Sequence, residues 1–146
     1  MKRVAVLVSG GGTNLQALLE SERRGENPDG KIVLVVASKP GVYALERAAG
    51  FGGGGVVVAR KEYAGSEAFD AALLETLRSH AIDVVVLAGF LSVLGPSVIA
   101  AYRGRILNVH PSLIPSFCGP GYYGLRVHEA ALARGVKVTG ATVHLV

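Results

Sequence analysis

Short apolar, β-branched runs recur along the chain, each separated from the next by a stretch of helical periodicity, and this alternation constrains the fold more than any other feature. Val4 to Val8, Ile32 to Ala37, Val56 to Ala59, Asp83 to Ala88 and Arg105 to Val109 read as strands covered on both faces. Between them lie segments with apolar residues on one side. Leu15, Leu18 and Leu19 share a face after Thr13 and Asn14, either of which can cap the helix. Tyr43 to Ala49 is a short helix, and Phe69, Leu73, Leu74 and Leu77 form the stripe of a helix over Glu67 to His80. Pro96 suits the first turn of a helix over Ser97 to Tyr102. A further helix spans Leu125 to Arg134, and a last strand spans Lys137 to Val146. The consecutive glycines Gly52 to Gly55 read as a floppy turn.

Strands alternating with helices imply an α/β protein: an open, mostly parallel, Rossmann-like sheet with helices on both faces and right-handed crossovers. With 146 residues, half of them hydrophobic, one compact domain over residues 1–146 is expected, with a nucleotide-binding core over 1–104 and a catalytic segment over 105–146. A single cysteine, Cys118, excludes an internal disulfide, and no Cys/His cluster offers metal ligands, so no metal is expected. The N-terminus is too short in apolar residues for a secretory core or a membrane span, which points to a cytoplasmic protein without a membrane partner. The net charge of +4 is scattered in pairs such as Arg23-Arg24 and Arg60-Lys61, which suits a small anionic substrate better than nucleic acid.

Open sheets of this kind bind ligands outside the carboxyl ends of their strands. Three loops satisfy that condition: Ser9 to Asn14, Gly89 to Leu94, and Asn108 to Pro115. In the first, glycines admit a ligand close to the backbone and the free N–H groups of a helix start favour an anion, so Gly12, Thr13 and Asn14 are candidate phosphate ligands. A plain strand-to-helix turn is the alternative. A dinucleotide site would place an acidic residue at the end of the second strand, where Ala37-Ser38-Lys39 stands instead; Ser38 and Lys39 leave NADP open. In the third loop, Asn108 and His110 are two positions apart on a strand and so project to one side, a pair able to stabilise an oxyanion in acyl transfer.

Ser9 to Leu18 (SGGGTNLQAL), Val84 to Phe90 (VVVLAGF), Leu107 to Pro115 (LNVHPSLIP) and Thr142 to Val146 (TVHLV) resemble, in order and spacing, the glycinamide ribonucleotide formyltransferases of the folate-dependent formyltransferase family. The resemblance covers essentially the whole chain. It implies transfer of a formyl group from 10-formyltetrahydrofolate to the amine of 5'-phosphoribosylglycinamide in purine synthesis, with small-molecule partners and either a monomer or a homodimer. By the resemblance, Gly12, Thr13 and Asn14 bind the substrate phosphate, Leu91, Ser92, Val93 and Leu94 line the pterin slot, Asn108 contacts formyl group and folate, and His110 is the catalytic acid. His128 and His144 fall where the family carries histidine, with structural roles equally open. Relatives that hydrolyse formyltetrahydrofolate or formylate methionyl-tRNA share the Asn-x-His element, and a binding-only phosphate module is a further alternative. The family's catalytic aspartate lies beyond a position equivalent to Val146, so a C-terminal continuation is expected and low turnover is expected of the chain as written. Ser66 stands where the family has an arginine.

Overall fold

A computed structural model describes residues 1–146. Six strands, β1 (Lys2–Val8), β2 (Gly30–Ala37), β3 (Gly54–Val57), β4 (Val84–Leu87), β5 (Ile106–His110) and β6 (Thr142–Leu145), form one sheet in the order β3-β2-β1-β4-β5-β6. Every pairing is parallel except that of β6 with β5. The helices are α1 (Thr13–Arg23), α2 (Tyr43–Gly50), α3 (Ser66–Ser79), α4 (Pro96–Ala101) and α5 (Leu125–Arg134). None is long and apolar enough to cross a membrane.

The period of two along β1 explains the layering. Ala5 and Leu7 point into one cluster, packed with Phe69, Leu73 and Leu77 of α3 and Val98 of α4, while Val6 and Val8 point into the other, with Leu15, Leu19, Ala44 and Ala48 of α1 and α2. Burial on both faces is what an uninterrupted apolar run requires, and the expected α/β architecture with helices on both faces is the one observed. The strand order reverses between β1 and β4, so the loops that follow these two strands diverge around a crevice at the topological switch point.

Several local expectations are corrected. Neither Thr13 nor Asn14 caps α1: the N-cap is Gly12, whose φ of 78° is left-handed, and no side chain closes the helix start. A side-chain cap needs an extended N-cap residue, which this turn does not supply. The glycine run is only partly a turn, because Gly54 and Gly55 already pair with Leu34 and Val35 of β2, and the strand ends at Val57 rather than Ala59. The last strand is four residues long, not ten, since the exposed residues from Lys137 to Thr139 find no ladder partner.

One buried carboxylate organises the helix behind the second site loop. Asp70 of α3, 3% exposed, accepts the backbone N–H groups of Gly95, Ser97 and Val98 at 2.8, 3.0 and 3.2 Å. It therefore serves as the cap that Gly95 lacks, and Gly95 must be glycine because a Cβ there would stand 2.6 Å from the Asp70 carboxyl carbon. The anchored α4 gives the segment from Gly89 to Leu94 a rigid far end.

Candidate active site

Two hollows open side by side at the carboxyl ends of the strands. One, of about 490 Å³, is lined by Gly10 to Asn14 together with Leu125 and His128 of α5. The other, of about 450 Å³, is lined by Ser9, Phe90, Leu91, Asn108, His110, Tyr122 and Tyr123 among others. Gly10, Gly89, Val109, Pro111 and Gly124 belong to both walls, so the two form one bent cleft.

In the first hollow the six consecutive backbone N–H groups from Gly10 to Leu15 donate to no protein acceptor; the first helical bond runs from Gln16 N–H to the Gly12 carbonyl at 2.9 Å. Unpaired amides at the positive end of an eleven-residue helix are suited to an anion. Thr13 and Asn14 are exposed and line the same hollow, adding a hydroxyl and an amide. The turn depends on Gly12, where a Cβ would lie 2.7 Å from that of Ala44. Arg47 of α2, which sequence reading passes over, reaches this loop: its Nε donates to the Gly11 carbonyl at 2.7 Å and its Nη1 to Gln16 Oε1 at 3.3 Å. Its spacing within a short helix carries no signal of that contact.

In the second hollow, Asn108 and His110 both line the wall from the same side of β5. Asn108 faces His144 across the antiparallel pair, as register demands, and the Asn108 Nδ2 donates to His144 Nε2 at 3.1 Å. His144 therefore accepts at Nε2 and carries its proton on Nδ1, which donates to the Leu145 carbonyl at 3.0 Å. His144, whose role the sequence left open, holds the Asn108 amide by a single tautomer. The His110 Nε2–H donates to the Phe117 carbonyl at 3.0 Å, which orients the ring and leaves Nδ1 as its second polar atom. Thr142 pins the loop that carries these contacts: its hydroxyl donates to the Ser112 carbonyl at 2.7 Å and accepts from Ile114 N–H at 3.1 Å.

Of the four residues expected to line a slot, Leu91 does so, half exposed, with its N–H donating to Ser9 Oγ at 2.9 Å. Val93 is 85% exposed and outside the cleft wall, and Leu94 is buried in the core beneath α4. Ser92 does not line the cleft either. The alternation follows from an extended segment pinned at both ends, by Ser9 and by Asp70. Ser38 shares a 2.6 Å hydrogen bond with Ser9 and is 3% exposed, so it is closed to a nucleotide phosphate. His128 lines the hollow beside Gly10 to Asn14 from α5, while Cys118 donates to the Pro115 carbonyl outside the cleft wall. No three His, Cys, Asp or Glu side chains cluster at metal-binding distance.

The formyl transferase family matches residues 2–146. The chain is 44% identical over 99% of its length to the trifunctional purine biosynthetic protein adenosine-3 of Drosophila melanogaster, of which it covers 10%. It is 38% identical over its full length to phosphoribosylglycinamide formyltransferase of Bacillus subtilis (strain 168), of which it covers 72%. Among solved structures, glycinamide ribonucleotide transformylase 1 from Symbiobacterium toebii superposes with a TM-score of 0.90 at 42% identity, with 100% of this chain and 66% of that one covered. The enzyme of the same name from Geobacillus kaustophilus gives 0.91 at 40%, with 100% and 74% covered. The chain thus spans a tenth of the trifunctional relative and roughly two-thirds to three-quarters of the others.

Proposed function

Because the chain belongs to the formyl transferase family, we propose that it transfers the formyl group of 10-formyltetrahydrofolate to the amine of 5'-phosphoribosylglycinamide. The observation that carries this reading is the bent cleft: five residues with unpaired amides, Gly10 to Asn14, line one arm, Asn108 and His110 line the other, and the two arms share five wall residues. Such a cleft suits a substrate with a phosphate at one end and a reacting amine at the other.

In this reading the amides of Gly12, Thr13 and Asn14, with the Thr13 hydroxyl, take the phosphate. Leu91 on the cleft wall flanks the folate ring, and Ser92, Val93 and Leu94 carry the segment on toward α4. The amine nitrogen attacks the formyl carbon, the carbonyl oxygen gains negative charge, and the Asn108 N–H not given to His144, together with the Nδ1–H of His110 in its imidazolium form, stabilise it. Collapse breaks the bond from the formyl carbon to folate nitrogen; the amine loses one proton and the departing nitrogen gains one, with His110 as the acid. Holding two substrates in adjoining arms converts a bimolecular step into an intramolecular one, and no protein nucleophile is required.

The test is a transfer assay with purified protein, 10-formyltetrahydrofolate and 5'-phosphoribosylglycinamide, following both the formylated product and the deformylated folate. Stoichiometric appearance of the two supports the proposal. Hydrolysis of the folate without formylated product, or formylation of charged methionyl-tRNA in place of the ribonucleotide, overturns it.

A further inference from the structure

The loop from Gly10 to Gly12 is held from behind by α2, and the geometry points to Arg47 as the residue that turns its amides toward the anion. This inference rests on reading that loop as the phosphate cradle. A trans peptide holds its carbonyl and its N–H on opposite sides of the chain, so whatever captures the carbonyl dictates where the N–H points. The Gly10 carbonyl accepts the Ala44 N–H at 3.3 Å, and the Gly11 carbonyl accepts the Arg47 Nε–H at 2.7 Å. Both acceptors belong to peptides whose other ends are the N–H groups of Gly11 and Gly12. Those two N–H groups are therefore directed away from α2, to the side where Gly10 to Asn14 line the hollow.

Arg47 is fitted for this task. It stacks on Tyr43 at 4.7 Å and grips Gln16 of α1 with a second nitrogen, so its guanidinium is fixed at three points. No carboxylate neutralises it, since the one ion pair in the chain joins Arg24 to Glu26. A charged donor on the Gly11 carbonyl polarises the peptide and makes the Gly12 N–H a stronger donor. Glycine alone would leave these peptides free to flip; Ala44 and Arg47 remove that freedom without entering the cleft. Arg47 is a positioning residue, which acts on the phosphate through the Gly11–Gly12 peptide.

The experiment titrates the protein with inorganic phosphate while following the backbone amide resonances of Gly11 and Gly12, in the parent and in Arg47→Met. The parent is expected to show phosphate-dependent downfield movement of both amides, and the variant to bind phosphate about tenfold more weakly with smaller movement. In the transfer assay, the variant's KM for 5'-phosphoribosylglycinamide should rise by about the same factor, with kcat and the KM for formyl-folate within roughly twofold of the parent. Should Arg47→Met not fold, Arg47→Lys, which keeps the charge but loses the two-point grip, is read the same way and should show a smaller loss. A parent that binds phosphate, with a variant that binds it equally well, overturns the role of Arg47 alone. Equal rises in both KM values also overturn it, because a general collapse of the cleft would then explain the loss. A parent whose glycine amides ignore phosphate overturns the cradle reading itself.

Discussion

A third hollow, also about 490 Å³, lies at the opposite end of the sheet, and it is the instructive counterpart of the cleft. It is walled by the last turn of α1, by Phe51 to Gly54, and by the first residues of β2. The far hollow matches one arm of the cleft in volume and differs in chemistry. At the carboxyl ends of the strands α1 begins, so backbone N–H groups face the space; at the amino ends α1 and α2 finish, so carbonyls do. Two of the three charged groups on its wall are engaged locally: Glu22 accepts the Ile32 N–H at 2.7 Å, and the Arg23 guanidinium sits 4.2 Å over the Phe51 ring. The far hollow is space left where glycines carry no side chains. The near one is space onto which donors converge.

That contrast can be broken by mutation. The largest effect is expected from His110→Ala, which should lower kcat for formyl transfer by roughly a hundredfold or more, in the range of a lost general acid; near-normal turnover would sink its assigned role. Gly12→Ala comes next. Its Cβ would meet the immovable backbone and Cβ of Ala44, and an alanine in left-handed geometry costs about 1–2 kcal/mol before the clash is counted. A lower melting temperature and loss of phosphate binding should appear together, and an unchanged phosphate isotherm would contradict the cradle. At the far end, Gly54→Ala meets nothing within 4 Å and keeps an ordinary φ, so transfer kinetics and phosphate affinity should match the parent. A tenfold change in either would mean that the far hollow is functional.

The smallest effect concerns the surface pair just beyond α1. The Arg24 guanidinium, with help from the Ser21 hydroxyl, holds the Glu26 carboxyl down to about 2. A depressed carboxyl contributes stability that is present above its unfolded value of about 4.3 and is lost as pH falls toward 2. Glu26→Gln should therefore lower the melting temperature slightly at pH 7 and leave it unchanged near pH 2, since the pair is fully exposed and screened by solvent. Paired melting curves across that range check the sign.

Much of this architecture was legible because strands buried on both faces leave continuous apolar runs, and β1, β2, β4 and β5 all do. The glycine turn and the Asn108, His110 pair were legible for the same reason: they occupy the ends of such strands, where an open sheet receives ligands. What could not be read depends on contacts far apart in the chain. Asp70 interrupts the apolar stripe of α3 beside Phe69, and that misplaced charge is the one local hint of its capping role twenty-five residues away. The partnership of Asn108 with His144 follows only from the antiparallel register of β5 and β6, and nothing between Lys137 and Ala141 announces that register. The grip of Arg47 on Gly11 needs the docking of α2 against α1. Leu94 lies in the second loop by sequence, and the docking of α4 draws its side chain into the core.

The amide of Asn108 is steered by a histidine on β6, the one strand of the sheet that runs antiparallel to its neighbour. The glycine loop instead leaves β1, which is paired along both sides. A substitution confined to β6 would therefore redirect the Asn108 amide while the turn after β1 kept its shape.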